Sequence, residues 1–150
     1  GTVPAPESET ERAADLIGQG RVTATPLGMA TVAASIQAGG TVVPHLIADR
    51  ASDADPGEPL TADESAALRE LMRAVVTEGS ATFLAGVPGD PVGAKTGTAE
   101  YGEAGEDGAY PKHSWIIGTH GDLAVAVFVE TGESGATTAG PLLQAFFEKW

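Results

Sequence analysis

The chain has 150 residues, enough for one domain with a real core, and its apolar fraction of 42% is ordinary for a globular protein. Twenty-one acidic residues against eight Lys and Arg give a formal charge of -13, which argues against binding nucleic acid or anionic membrane surfaces. The lack of cysteine removes disulfides and thiolate metal sites, and no apolar run approaches the ~20 residues of a spanning helix. No signal peptide is visible and the first residue is Gly1 rather than Met, which fits a processed chain or a fragment equally.

Residues 1–14 carry no apolar period and read as an extended lead-in, followed by a short apolar turn at 15–20 that ends in Gly18-Gln19-Gly20. Thr25-Pro26 is a helix start, with Thr as N-cap and Pro at the first helical position. Met29, Val32, Ala33 and Ile36 then form one apolar stripe, and Gly39-Gly40 stops the helix. Residues 41–48 are β-rich, and residues 49–59 are acidic, rich in proline and read as loop. Thr61 and Glu64 make a capping box for a second helix with Leu68, Leu71, Met72, Val75 and Val76 on its core face, ended by Gly79. Three strands follow, at 91–99, 113–119 and Leu123–Val129. The Gly121-Asp122 connection between the last two suits a tight hairpin. Residues 100–112 read as a solvated loop. Thr138 is placed to cap a last helix whose stripe of Leu143, Phe146, Phe147 and Trp150 needs the sheet to cover.

The first candidate strand carries Lys95-Thr96-Gly97-Thr98. Strand alternation puts Lys95 and Gly97 on one face and Thr96 and Thr98 on the other, yet at a twisted sheet edge the ammonium and both hydroxyls reach one cleft. Glycine lets a ligand approach the backbone, and an ammonium beside hydroxyls attracts a carboxylate through charge-assisted hydrogen bonds. Lys-Thr-Gly is one of three signatures of serine β-lactamases and penicillin-binding proteins. The other two are missing: no serine has lysine three residues later, and the chain has no asparagine. Acyl transfer needs a nucleophile, a base, oxyanion donors and a substrate clamp. This tetrapeptide supplies the last two and leaves the nucleophile elsewhere. His45, His113 and His120 lack metal-like spacing and read as strand or turn residues. Gln19 reads as structural, its amide bonding backbone within a glycine turn. Trp115 is placed either beside the cleft or in the core.

From about residue 15 to the end, the chain resembles the C-terminal part of the transpeptidase domain of class B penicillin-binding proteins. The matching pieces, in order, are Ile17-Gly18-Gln19-Gly20, Thr25-Pro26-Leu27, Gly39-Gly40 with Pro44, Val76 with Gly79-Ser80-Ala81, the block Gly93 to Glu100, and His113-Ser114-Trp115 with Gly118. The resemblance implies an α+β fold, a partial, β-lactamase-like transpeptidase domain over residues 15–150, with about three antiparallel strands and packed helices. It implies a catalytic role for Lys95 in the proton-transfer network and for the Thr98 backbone N–H in the oxyanion hole. Substrate binding falls to Thr96, Gly97 and Thr98.

The implied activity is peptidoglycan D,D-transpeptidation through an acyl-serine intermediate, in the bacterial cell envelope on the outer face of the cytoplasmic membrane, with no cofactor and no metal. The implied partners are the stem peptide, β-lactam antibiotics, and a companion segment or chain carrying Ser-x-x-Lys. Alternatives are a D,D-carboxypeptidase or β-lactamase-like hydrolase, and a non-catalytic penicillin-sensing or partner-binding module. Alone, the chain is expected to be inactive and to leave open the apolar faces that meet the missing segment.

Overall fold

The computed structural model describes residues 1–45, 47 and 57–150. Its helices are α1 (Glu9–Asp15), α2 (Pro26–Ala38), α3 (Ala62–Thr77) and α4 (Gly140–Phe147), and its strands are β1 (Gly93–Glu100), β2 (Lys112–His120) and β3 (Leu123–Val129). The strands form one antiparallel sheet in the order β1-β2-β3. A two-residue hairpin pairs His120 with Leu123, as the Gly121-Asp122 signal predicts.

Register decides which core each strand residue enters. Ala94 lies opposite Gly118 and Thr96 opposite Ile116, so these side chains share one face of the sheet. On that face Ala94 and Ile116 pack with Val76, Ala81, Leu84, Val92, Ala139, Leu143 and Phe147. Ile117, on the other face, packs with Ala33, Ile36 and Met72. The sheet is thus covered by α4 and the end of α3 on one side and by α2 on the other.

The helix starts follow the sequence reading. Thr25 accepts a hydrogen bond from the Gly28 N–H with Pro26 in the first turn, and Gly39 ends α2 in the left-handed conformation. The Thr61 hydroxyl accepts from Glu64 N–H, while the Glu64 carboxylate accepts from Thr61 N–H at 2.8 Å. The bonds from the Thr61 backbone and then its hydroxyl hold the Glu64 carboxyl below its ordinary pKa. That contribution is present at neutral pH and disappears as pH falls through the lowered value. Thr61→Ala is expected to cost about 1 kcal/mol, read from urea unfolding of wild type and variant at neutral pH.

Several expectations are corrected. The lead-in over residues 1–14 is not wholly extended: Ser8 caps α1, whose acidic first turn suits the helix dipole. Arg21 ties this helix to the following segment through Glu11, and also pairs with Glu7 just ahead of the N-cap. A helix of 7 residues without a buried side chain shows no apolar period. Residues 41–45 form no strand. Ser35 Oγ takes the Val42 N–H at 3.0 Å, and Pro44 has no donor to offer a ladder. The rest of that expected strand, Leu46 and Ala48, and residues 49–56 of the expected loop lie outside the described residues.

Leu71, expected in the core, is 64% exposed, because the sheet meets only the Met72 and Val76 side of α3. Thr138 does not cap the last helix. Ser134 accepts from Thr137 N–H at the start of a wide turn, Gly135–Ala139, that leads into α4, and Thr138 Oγ1 accepts from Glu133 N–H instead. The stripe on α4 divides: Leu143 and Phe147 are buried, while Phe146 and Trp150 are 43% and 80% exposed and stack on each other. The Leu143 and Phe147 side alone reaches the sheet. Leu16, Ile17, Leu27 and Val32 also present apolar side chains to solvent. Among the described residues, no helix is long and apolar enough to cross a membrane.

Candidate active site

The sheet order leaves one side of β1 without a strand partner. Gly97 lies opposite Trp115, and Gly97 N, Gly97 O and Trp115 O all crowd the space over Gly135. They identify Gly97–Trp115 as a hydrogen-bonded pair, so the neighbouring residues Thr96 and Thr98 turn their N–H and C=O groups away from β2, to the open edge. A cleft of about 330 Å³ lies along this edge, lined by Lys95, Thr96, Gly97, Thr98 and Ala99, by Trp115 and Ile117 of β2, and by the Ile17-Gly18-Gln19 turn. Lys95 is the one charged residue among those lining it.

All four residues of the motif therefore border one cleft, although alternation sends their side chains to different faces. Lys95 Nζ is exposed and donates to Thr96 O at 2.6 Å. Thr96 Oγ1 lies 2.7 Å from Ser80 Oγ, which follows α3. Thr98 Oγ1 accepts the Gly135 N–H at 3.2 Å, which leaves its own proton free to donate to a ligand. Trp115 is half-buried at the cleft wall, its ring 4.5 Å from that of Phe128. His113 stacks on Tyr101 at 3.8 Å and donates Nδ1–H to Glu130 O. It is an ordinary, satisfied strand residue. Among the described residues there is no group of three or more His, Asp or Glu that could hold a metal ion.

Three contacts escape the sequence reading. Gln19 Nε2 donates to Thr98 O at 3.2 Å, across 79 positions, and not to its own glycine turn. Ser80, 16 residues before Thr96, and Gly135, 37 residues after Thr98, support the two threonines from either side in sequence. Ile17-Gly18-Gln19-Gly20 and Gly79-Ser80-Ala81 stand out in the sequence as spacing markers, but nothing local says that they meet β1. Gly135 carries no signal at all.

The sequence model of the penicillin binding protein transpeptidase domain matches residues 1–148. The chain belongs to this family. Among curated relatives, the peptidoglycan D,D-transpeptidase PbpA of Mycobacterium tuberculosis is 34% identical over an alignment of 144 positions that covers 86% of this chain and 28% of that protein. Penicillin-binding protein A of the same organism, solved as a ceftriaxone acyl-enzyme complex, superposes with a TM-score of 0.70 at 30% identity, covering 90% of this chain and 34% of that one. PBP2 of Pseudomonas aeruginosa in complex with WCK 5153 gives 0.75 at 27% identity, covering 93% and 32%. The chain thus spans about 28% of the length of the curated relative it matches.

Proposed function

We propose that this chain supplies the substrate clamp and half of the oxyanion hole of a peptidoglycan D,D-transpeptidase that β-lactams acylate. Its site works on the outer face of the bacterial cytoplasmic membrane, in the cell envelope. The observation that carries the reading is Lys95-Thr96-Gly97-Thr98 on the open edge of β1, in a chain of this family, with Lys95 the lone charge among the cleft-lining residues.

The geometry supports the following roles. Lys95 and the Thr98 hydroxyl, whose proton is free, take the carboxylate of a stem peptide or β-lactam, with Thr96 supported by Ser80. The lysine also favours deprotonated groups in the proton-transfer network around the nucleophile. The outward N–H of Thr98 donates to the oxyanion that forms when a serine hydroxyl attacks the substrate carbonyl. The C–N bond then breaks, the leaving amine takes a proton, and an acyl-serine remains. An amine of a second stem peptide displaces the serine and completes the cross-link. The serine belongs to a companion segment with Ser-x-x-Lys, since no serine here has lysine three residues on.

Labelled penicillin followed by mass spectrometry tests this. The full-length protein is expected to carry one adduct on a serine outside the present chain. The chain alone is expected to carry none, and to support labelling of the companion segment when the two are mixed. A penicillin adduct on any residue of the chain by itself, or no adduct on the full-length protein, would overturn the reading.

A further inference from the structure

An open strand edge accepts an extended peptide as an added strand, through main-chain hydrogen bonds. On β1 the two outward carbonyls of the motif are already occupied from within the chain, Thr96 O by Lys95 Nζ and Thr98 O by Gln19 Nε2. A primary amide N–H is the nearest side-chain copy of a peptide N–H. Gln19 is held in place for this contact. Its own N–H donates to Ala14 O at 3.0 Å, closing α1, and it sits between Gly18 at φ 73 and Gly20 at φ 71. Both are left-handed positions that favour glycine. The contact itself is a neutral hydrogen bond of 3.2 Å at a solvent-facing cleft, strong enough to fill the acceptor and weak enough to be exchanged.

We propose that Gln19 gates the open edge of β1. Resting on the transpeptidase reading above, its amide holds the place of a substrate amide N–H at Thr98 O. Ligands that bring such an N–H beside the acylating carbonyl displace it: stem peptides, and β-lactams with an acylamino side chain. A ligand lacking that N–H gains nothing at Thr98 O and leaves Gln19 where it is. Gln19 is therefore a positioning residue that opposes amide-bearing ligands alone and so lowers the preference for them over ligands without that N–H, and it takes no part in bond making.

The test measures acylation rates of the full-length protein by penicillin G and by its analogue methylated on the side-chain amide nitrogen. These differ at the amide nitrogen alone, where a methyl replaces the N–H at issue, and comparing the ratio between wild type and variants sets aside the methyl's own effect on acylation. Wild type is compared with Gln19→Met, which keeps the bulk and loses the donor, and with Gln19→Ala. The ratio of the penicillin G rate to the analogue rate is expected to rise roughly threefold to tenfold in both variants, the factor one net hydrogen bond supplies. A partly unfolded variant lowers both rates together and leaves the ratio readable. A ratio that stays or falls in either variant overturns the gate alone. Wild-type protein that takes up neither compound overturns the transpeptidase reading and the gate with it.

Discussion

Lys95→Ala in the full-length protein is expected to slow acylation by penicillin more than Thr98→Ala does, by at least about tenfold, or roughly 1.4 kcal/mol of transition-state stabilisation. The two residues face the same cleft but contribute different things. Removing Lys95 removes the lone charge among the cleft-lining residues. In a chain with formal charge -13, that leaves an approaching carboxylate with no cation among the cleft-lining residues to offset repulsion. It also empties the contact to Thr96 O. Removing the Thr98 hydroxyl takes away one ligand donor and the acceptor for Gly135 N–H, but the Thr98 main-chain N–H stays at the edge. In the proposed role the Thr98 oxyanion donor is on the backbone and is untouched by a side-chain substitution, so the threonine change is expected to be the milder one. Stopped-flow acylation of the two variants with one β-lactam decides the order. Equal rates, or a worse threonine variant, would count against these roles.

The parts of the fold that depend on neighbours in sequence were legible. Thr25-Pro26, Thr61 with Glu64 and Gly121-Asp122 each state a backbone geometry within a few residues, and each stands where it was expected. The parts that depend on which surface is available were not. Leu71 and Met72 both fit the apolar stripe of α3, and only the position of the sheet separates them. Phe146 and Trp150 continue the α4 stripe by spacing, yet the sheet is too narrow to reach them. For the site, chemistry was written locally in four consecutive residues, whereas its supports come from far along the chain. Gln19, Ser80 and Gly135 approach β1 from sequence distances of 79, 16 and 37 residues, and no periodicity encodes such meetings. Burial also set the limit at α1, whose capping by Ser8 needs no apolar stripe and so leaves none to read.

Gly135 illustrates the last point with a large expected effect. A methyl group there would lie 2.2 Å from Trp115 O, 2.6 Å from Gly97 O and 2.8 Å from Gly97 N. All three are backbone atoms of the bonded pair that joins β1 to β2, so no side chain can swing aside to make room. Either the Gly135–Ala139 turn lifts from the sheet or the two strands part at the motif. Gly135→Ala in the full-length protein is accordingly expected to lose about 3 kcal/mol of stability, the upper end for overpacking a close contact. Thr137→Gly serves as a control for turn flexibility, since Thr137 is exposed and its side chain bonds only Ser134. Lifting the turn also breaks the Gly135 N–H bond to Thr98 Oγ1, so the surviving folded fraction should acylate more slowly as well. Urea midpoints and acylation rates measured on the same preparations separate the two effects. A Gly135→Ala protein as stable as wild type would mean that the turn does not rest on the Gly97–Trp115 pair, and that Thr98 is positioned without it.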